Sequence, residues 1–262
     1  MFPRSMCGLI VAAGCCCGGF VGAGGSVAFA DEAELARPFV PAVSMDQDRR
    51  VAPGSARNQL GATGLVRCGP AIGTGQLTVR NDVVTTAAHV LIDQHGKRRT
   101  GCVFEPTIAG GGPVPLDPST IQTGSTMPLT ERATRDWAVA RLVAPVKGVT
   151  PYSIGTINGA PTAVVMCAGG NHALAAMGTE ACSTRRVIGT AGDGIRELAI
   201  DCNAGPGSSG AALIAGNKVV GIYVGYRSVD PGKAQAFSSS HYNFAITVDG
   251  PFRRALLSAT GQ

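Results

Sequence analysis

The chain has 262 residues and a formal net charge of +5 at pH 7, with 45% hydrophobic and only 15% charged residues. Its basic residues are scattered, and the only groups, at 97–99 and 185–186, are typical of solvated hairpins. The composition therefore argues against a nucleic-acid-binding surface. Beyond the amino-terminal segment no apolar run is long enough to span a bilayer, so we expect no membrane partner for the mature protein.

The first 30 residues have the pattern of a secretory signal peptide. A single charge, Arg4, precedes an apolar stretch of small residues that ends in AFA at 28–30, directly before Asp31. A basic start, an apolar middle and an A-x-A end predict cleavage after Ala30 and an exported protein, either secreted or periplasmic. Cys15, after Ala-Ala-Gly, also resembles a bacterial lipoprotein cleavage site, so lipidation stays a minor alternative.

Two segments follow this leader. Residues 31–59 are polar and punctuated by proline, which indicates an amino-terminal arm or a pro-segment, and residues 60–262 can form one domain with a substantial core. The domain contains short apolar runs separated by Gly, Pro and Asn, which predict an all-β sandwich or barrel. These runs are TGLVRC, GTGQLTVR, DVVTTAAHVL, CVFEP, WAVARLV, TAVVMC, RRVIGT, IRELAID, KVVGIYVG and YNFAITV. One short helix is predicted at the carboxyl terminus, where Asp249 and Pro251 begin PFRRALLSAT.

Export changes the interpretation of the cysteines, because an oxidising compartment favours disulfides. Their spacings do not resemble a zinc site, and we expect no metal or other cofactor. Cys182 and Cys202 lie at equal distances from a Gly-Asp-Gly turn, so a hairpin would place them opposite each other as a disulfide. Cys68 and Cys102, next to strands that flank a candidate site, form the second candidate pair, and Cys167 is expected to be left over and buried.

Two stretches carry residues suited to acid–base chemistry. In the stretch NDVVTTAAHVL, His89 is expected at the end of a β-branched strand, among residues too small to hide it, although a lone histidine at a strand end is more often a cap. Asp136 directly precedes an apolar run, where a half-buried carboxylate needs a hydrogen-bond partner. An aspartate before an apolar run is also common where a strand begins. Neither His89 nor Asp136 therefore indicates a catalytic site by itself.

The stretch DCNAGPGSSGAAL at 201–213 is rich in glycine and lies between two strand-like runs. Its glycines allow a positive φ and a close approach of the backbone to a ligand. The hydroxyl of Ser209, with the N–H groups of Gly207 and Ser209, suits a nucleophile with oxyanion donors. GPGSSG also matches a dinucleotide-binding pattern, but the amphipathic helix and acid which that pattern needs do not follow. A plain Gly/Ser turn is the simplest alternative.

The three stretches gain meaning together, because a serine nucleophile needs an imidazole base and the imidazole needs an orienting carboxylate. The order His89, Asp136, Ser209 excludes an α/β-hydrolase, in which serine comes first, and the subtilisin order, in which aspartate leads. The motifs TTAAHV, RDWAVARL and GSSGA, with GTG at 73–75, resemble the chymotrypsin-like (trypsin-fold) serine peptidases over roughly residues 60–255. The likeness is greatest to their bacterial, glutamyl-endopeptidase-like branch.

This resemblance implies two antiparallel six-stranded β-barrels with the active site in the cleft between them. By their roles in the family, Ser209 would attack the peptide carbonyl, His89 would move the proton and Asp136 would orient His89. The N–H groups of Gly207 and Ser209 would bind the oxyanion.

Several residues depart from the family's pattern. Ser208 stands where the animal digestive enzymes carry an aspartate before the nucleophile. Tyr223 replaces a histidine that helps the glutamyl enzymes bind the substrate carboxylate, and Asn203 lies where trypsin-like enzymes carry the pocket aspartate. Asn203 and Tyr223 are therefore the candidate specificity-pocket residues, but they support neither an acidic nor a basic preference.

The sequence thus predicts an exported, monomeric serine endopeptidase that hydrolyses protein or peptide substrates through an acyl-enzyme. Two alternatives stay open: a non-catalytic binding module on the same fold, and an esterase that uses the same triad. A fluorophosphonate probe, which labels only an activated serine, distinguishes the first alternative. A comparison of peptide and ester substrates distinguishes the second.

Overall fold

The computed structural model describes residues 61–107, 112–170, 172–231, 233 and 235–261. The predicted signal peptide at 1–30 and the predicted arm at 31–59 lie outside the described residues. Within the described ranges, no helix is both long enough and apolar enough to cross a membrane.

The described residues form strands β1 to β14, two α-helices and two short 3-10 helices. The strands are β1 (Thr63–Cys68), β2 (Ala71–Leu77), β3 (Val83–Thr86), β4 (Val103–Pro106), β5 (Val114–Pro115), β6 (Gln122–Thr123), β7 (Ala138–Arg141), β8 (Ser153–Ile154), β9 (Thr162–Gly170), β10 (Ala173–Thr190), β11 (Arg196–Ile200), β12 (Ala212–Ala215), β13 (Lys218–Ser228) and β14 (His241–Thr247). The α-helices are Ala88–Leu91 and Gly250–Ala259, and the 3-10 helices are Pro118–Thr120 and Ala133–Arg135.

Strands β1 to β7 form one antiparallel sheet in the order β5-β4-β1-β2-β3-β7-β6. β1 and β2 make a tight hairpin whose register pairs Thr63 with Gln76 and Cys68 with Ala71. The edge strands β5 and β6 have only two residues each, and within the described residues they do not pair with each other. This sheet is therefore a half-barrel.

Strands β9 to β14 form a closed six-stranded barrel, because β12 pairs with both β9 and β13. The order around it is β12-β9-β10-β11-β14-β13, and β8 adds to β13 as a short parallel strand. β10 has 18 residues and shifts register between Ala173 and Gly178 and again between Thr184 and Arg186. Such irregularities bend a strand and let it follow the curvature of a barrel. The predicted all-β, two-barrel architecture with a short carboxyl-terminal helix is confirmed, with one barrel closed and the other half open.

The carboxyl-terminal helix begins at Gly250, with Pro251 in its first turn as the sequence predicted. Its buried face consists of Phe252, Ala255 and Leu256. The Phe252 ring stacks on Trp137, with the ring centroids 5.2 Å apart. Because Trp137 leads into β7, this packing fixes the strand entry at which Asp136 lies.

Both predicted disulfides are present in the structure. Cys68–Cys102 joins the end of β1 to the residue before β4. Cys182–Cys202 closes the β10–β11 hairpin, in which Thr184 pairs with Ile200, so the same register places the two cysteines opposite each other. The remaining cysteine of the described residues, Cys167, is buried, and burial raises the pKa of its thiol to about 12. A thiol in this environment stays protonated and unreactive at neutral pH.

The closed barrel also contains a buried ion pair. Arg227 on β13 donates from Nε and from one terminal nitrogen to the two carboxylate oxygens of Glu197 on β11, at 2.8 Å each. The guanidinium lies 4.8 Å from the ring centroid of Phe244, on the strand β14 between them. The side chains are only 2% and 0% exposed, so neither charge can fall back on water if its partner is removed.

We expect Glu197→Gln to lower the free energy of unfolding by about 3–5 kcal/mol, because Arg227 keeps its buried charge while the carboxylate that accepts both of its hydrogen bonds becomes a neutral amide. Urea denaturation followed by circular dichroism measures this loss. Asp230→Asn is the matched control, since it breaks the exposed Lys233–Asp230 pair and should change stability by less than about 0.5 kcal/mol. Equal effects of the two substitutions would contradict the assignment of Arg227–Glu197 as a buried, structure-determining pair.

Candidate active site

His89 and Asp136 are brought together by the pairing of β3 with β7. Thr86, the last residue of β3, lies opposite Ala138, the first residue of β7. His89 follows Thr86 in the one-turn helix Ala88–Leu91, and Asp136 precedes Ala138 at the end of the 3-10 helix Ala133–Arg135. The two side chains therefore meet at the same end of the half-barrel.

Both oxygens of the Asp136 carboxylate accept hydrogen bonds from His89. Nδ1 of the imidazole lies 2.6 Å from Oδ2, and the backbone N–H donates to Oδ1 at 2.9 Å. Asp136 has no exposed surface. A carboxylate in this position keeps the proton on Nδ1, because a deprotonated Nδ1 would face an acceptor. The basic lone pair of the imidazole is thereby left on Nε2.

The sequence predicted that the His89 side chain is exposed at the end of a strand. The structure instead places it on a helical turn and leaves only 8% of its side chain exposed. The reason is the backbone bond from His89 to Asp136, which turns the chain away from β3 and draws the ring inward. Burial strengthens the electrostatic interaction between the Asp136 carboxylate and the His89 imidazole, because less solvent screens it.

Ser209 belongs to the closed barrel but lies against the half-barrel. Its carbonyl accepts the backbone N–H of Thr74 on β2 at 2.8 Å. A Cβ added to the next residue, Gly210, would collide with the Thr86 hydroxyl, with the Thr74 carbonyl and with the N–H of Ala87. Gly210 also has a φ of +87°, which glycine adopts readily. The nucleophile loop thus docks onto Thr86 and Ala87, the residues that lead into the helix of His89.

The backbone between Gly205 and Ser208 forms a tight turn. The N–H of Ser208 donates to the carbonyl of Gly205 at 2.9 Å, with Pro206 and Gly207 as the central residues. Proline at the second position and a glycine with a φ of +92° at the third are the signature of a type II turn. Turn types I and II differ in the orientation of the central peptide group, which here joins Pro206 to Gly207. The type of turn therefore decides the direction in which the Gly207 N–H points.

Side-chain hydrogen bonds fix this turn from both sides. The Ser208 hydroxyl accepts the N–H of Gly205 at 2.9 Å and donates to the carbonyl of Gly169 at 3.1 Å. The Thr74 hydroxyl donates to the carbonyl of Gly207 at 2.7 Å and accepts the N–H of Gly169 at 2.8 Å. Sequence reasoning missed Thr74 and Gly169, because a threonine and a glycine in strands show no local signal of contacts made so far along the chain.

The two candidate pocket residues are both buried in the closed barrel, each with 0% exposure. The Tyr223 backbone holds the end of the nucleophile loop, through its carbonyl to the Gly210 N–H and its N–H to the Ala211 carbonyl. Asn203 is held by Glu180 on β10, a buried carboxylate that belongs to none of the predicted motifs. Burial also raises the pKa of the Tyr223 phenol, so it acts as a neutral hydrogen-bonding group.

No group of three or more His, Cys, Asp or Glu side chains in the described part of the chain is arranged to hold a metal ion. His89, Asp136 and Ser209 supply an imidazole, a carboxylate and a hydroxyl, which are the groups that nucleophilic catalysis by a serine uses.

Comparison with known proteins identifies the fold. No family model and no curated protein matches the sequence. Among solved structures, a Glu endopeptidase in complex with MPD superposes with a TM-score of 0.67 at 15% identity, covering 84% of this chain and 100% of that one. A thermostable serine protease from an extremophilic microorganism superposes with a TM-score of 0.55 at 16% identity, covering 78% of this chain and 100% of that one. The protease Anisep from Arthrobacter nicotinovorans also superposes with a TM-score of 0.55, at 12% identity, covering 78% of this chain and 97% of that one.

At these identities the likeness establishes the fold alone. The chain has the chymotrypsin-like fold of serine proteases, and the resemblance that the sequence motifs suggested is confirmed at that level.

The Thr74 contacts yield a test of how the loop is held. Thr74→Val keeps the shape but leaves the Gly207 carbonyl and the Gly169 N–H without a partner, which should lower the free energy of unfolding by about 1–3 kcal/mol. It should also slow fluorophosphonate labelling of Ser209 by at least about tenfold, because the turn at 205–208 loses its support.

Thr78→Val is the matched control on the same sheet. Thr78 is also buried, but its hydroxyl bonds only within the half-barrel, to Gln76 and Thr85. The Thr78→Val variant should be less stable than the unaltered protein, but fluorophosphonate should label its Ser209 at the same rate. Equal labelling rates for the two variants would show that Thr74 supports the fold only.

Proposed function

We propose that this protein is an exported serine endopeptidase in which His89, Asp136 and Ser209 form the catalytic triad. The observation that carries the proposal is the use of both Asp136 oxygens by His89, at the point where the Ser209 loop docks onto the half-barrel. The serine-protease fold of the structural neighbours supports a peptidase.

The chemistry divides into two acyl transfers. In the first, the Ser209 oxygen attacks the carbonyl carbon of the scissile peptide bond while Nε2 of His89 takes the hydroxyl proton. The tetrahedral intermediate then collapses, the C–N bond breaks, and the same proton passes from His89 to the departing amine. In the second, water attacks the acyl carbon while Nε2 of His89 takes a proton from it. The C–O bond to Ser209 then breaks, His89 returns the proton to the Ser209 oxygen, and the carboxylic acid leaves. Asp136 stabilises the imidazolium in each transfer and is not itself protonated.

The negative oxygen of each intermediate needs donors that are already in place. In this proposal the donors are the N–H groups of Gly207 and Ser209. A type II turn with Pro206 and Gly207 at its centre supports the role, because it sets the direction of the Gly207 N–H before substrate arrives. The Thr74 hydroxyl keeps the Gly207 carbonyl turned toward β2.

Export and monomeric action are parts of the same proposal. Two disulfides within the described residues fit an oxidising compartment outside the cytoplasm. The sequence of residues 1–30 supplies the signal for export. The substrates would be proteins or peptides, with no nucleic acid, no membrane and no cofactor involved.

The first test removes the members of the triad. Ser209→Ala and His89→Ala should each reduce peptide hydrolysis by about 10⁴–10⁶ in kcat, and the double variant should be little worse, because the triad acts as a unit. Ser208→Ala is the neighbouring comparison: it keeps the nucleophile but removes two hydrogen bonds of the turn, so fluorophosphonate labelling should be slower and not abolished. Labelling that disappears in Ser208→Ala but persists in Ser209→Ala would overturn the choice of nucleophile. Hydrolysis of esters but not of peptides by the unaltered protein would favour the esterase alternative.

A second test concerns activation. In the digestive relatives a freed amino terminus inserts and pairs with the aspartate before the nucleophile, whereas Ser208 is neutral here and its hydroxyl already bonds Gly205 and Gly169. A buried ammonium at this point would lack a counter-charge and would cost several kcal/mol. Proteins that start at different residues between Asp31 and Gln59 should therefore have similar kcat/KM. Activity confined to one start residue, and lost on acetylation of its amino group, would contradict this expectation.

A further inference from the structure

His172 lies in the turn that joins β9 to β10. Gly170 at the end of β9 pairs with Ala173 at the start of β10, so only two residues connect these strands. His172 has a φ of +59°, in the left-handed region where a two-residue hairpin turn favours glycine. The chain has glycine at 169 and 170 but not at 172. The turn itself therefore gives no reason for a histidine at this position.

Burial does not explain this histidine either. His172 is exposed, so its side chain adds nothing to the apolar core. A residue other than glycine in a sparsely populated backbone conformation persists only where its surroundings hold it, and such residues concentrate at functional sites. The contacts of His172 show which surroundings these are.

The imidazole of His172 faces Gly207, the proposed oxyanion donor. The backbone nitrogen and Nδ1 of His172 lie 3.5 and 3.6 Å from the point that a Cβ on Gly207 would occupy. Apart from the neighbours Pro206 and Ser208, no described residue has an atom closer to this point. The Gly207 carbonyl meanwhile accepts the Thr74 hydroxyl. Gly207 is therefore enclosed between β2 and the turn that carries His172.

A second contact ties His172 to the half-barrel. Arg67 on β1 donates from a terminal nitrogen to the His172 carbonyl at 3.1 Å, and its Nε donates to the Glu105 carboxylate on β4 at 2.6 Å. Because a guanidinium is planar and rigid, the bond to Glu105 also sets the direction of the nitrogen that reaches His172. The turn after β9 is thus held against Gly207 by a residue of the other barrel.

Gly207 cannot fix the direction of its own N–H. In a type II turn the third residue has a φ near +80°, whereas in a type I turn its φ is near −90°. Reversal of the Pro206–Gly207 peptide would therefore change the sign of the Gly207 φ, which is +92°, and turn the N–H away from the oxyanion. Glycine adopts both signs readily, so its backbone alone opposes this reversal little. A neighbour packed on Gly207 opposes it, because the reversal would have to displace that neighbour.

We propose that His172 is a positioning residue for the oxyanion donor: it packs on Gly207 and keeps the Pro206–Gly207 peptide in its type II orientation. The inference rests on the proposed peptidase function, in which the Gly207 N–H binds the oxyanion. His172 acts through its contact with Gly207 and not through a bond to the substrate. Any fraction of molecules with a reversed peptide lowers kcat in proportion, because only the type II form stabilises the transition state.

Removal of the side chain tests the proposal. His172→Gly relieves the left-handed backbone, so Tm should stay the same or rise. The same variant should lower kcat for a peptide substrate at least about tenfold and leave KM within about twofold, because the oxyanion bond forms in the transition state. Lower activity without lower stability distinguishes a positioning role from support of the fold. An unchanged kcat in the folded variant would overturn the proposal.

Two further variants locate the effect. Val79, with a φ of +66°, is the other residue besides glycine with a positive φ in the described part of the chain, and it lies between β2 and β3. Val79→Gly should leave kcat unchanged. His172→Asn keeps a polar atom at the position of Nδ1 and also tolerates a positive φ, so kcat should stay within about threefold of the unaltered protein. A His172→Asn variant as slow as His172→Gly would contradict the proposed contact, as would an equal loss in Val79→Gly.

Nuclear magnetic resonance separates this inference from the proposed function. Relaxation dispersion of the Gly207 amide, in protein labelled with ¹⁵N-glycine, detects exchange between two turn conformations on the μs–ms timescale. Exchange that appears in His172→Gly and not in Val79→Gly supports the positioning role even if the unaltered protein hydrolyses nothing, a result that would remove the peptidase alone. Hydrolysis by the unaltered protein, with neither a lower kcat nor new exchange at Gly207 in His172→Gly, would remove the positioning role and leave the peptidase.

Discussion

Thr74 is the residue on which the relation between the two barrels depends. Its N–H donates to Ser209, its hydroxyl links Gly207 and Gly169, and its carbonyl accepts the hydroxyl of Thr86. One buried residue on β2 thus bonds Ser209 and the strand that leads to His89 through its backbone, and the turn before Ser209 through its side chain. None of these partners is close to Thr74 in sequence except Thr86. The groups that must cooperate are therefore positioned by long-range bonds, which form only when both barrels have folded.

Glycine makes this arrangement possible by removing side chains from the contact. A Cβ on Gly73 would lie 2.7 Å from the Ser209 carbonyl, and a Cβ on Gly169 would lie 2.7 Å from the Gly207 carbonyl. The first contact brings the backbones of the two barrels together at Ser209, and the second packs the 205–208 turn against β9 within the closed barrel. Backbone contacts are less adjustable than contacts between side chains, and nucleophilic catalysis tolerates little displacement of its groups. Glycine thus has a packing role at Gly73 and Gly169 as well as a conformational one at Gly207 and Gly210.

Local signals explain what the sequence could predict. β-Branched runs located most strands, the proline after Asp249 located the helix, and the equal spacing of Cys182 and Cys202 about a turn located their disulfide. The first half of β10 and the strand β12 were missed, because ALAAMG and ALIA contain few β-branched residues and owe their conformation to barrel closure. The burial of His89 and the contacts of Thr74 and Glu180 were also missed, since each depends on a partner from a distant segment. The sequence therefore identified the candidate chemical groups, whereas their hydrogen-bond partners from distant segments became apparent only from the fold.

The groups proposed for bond cleavage and the candidate pocket residue Asn203 are held by different parts of the molecule. His89 and Asp136 lie on the half-barrel and depend on the β3–β7 pairing, whereas Asn203 depends on Glu180 inside the closed barrel. Ser209 lies between the two sets, because its loop begins beside Asn203 and ends against Thr86. This division explains physically how one fold can keep a catalytic constellation while its substrate preference changes, and why likeness of fold at 15% identity leaves that preference undetermined.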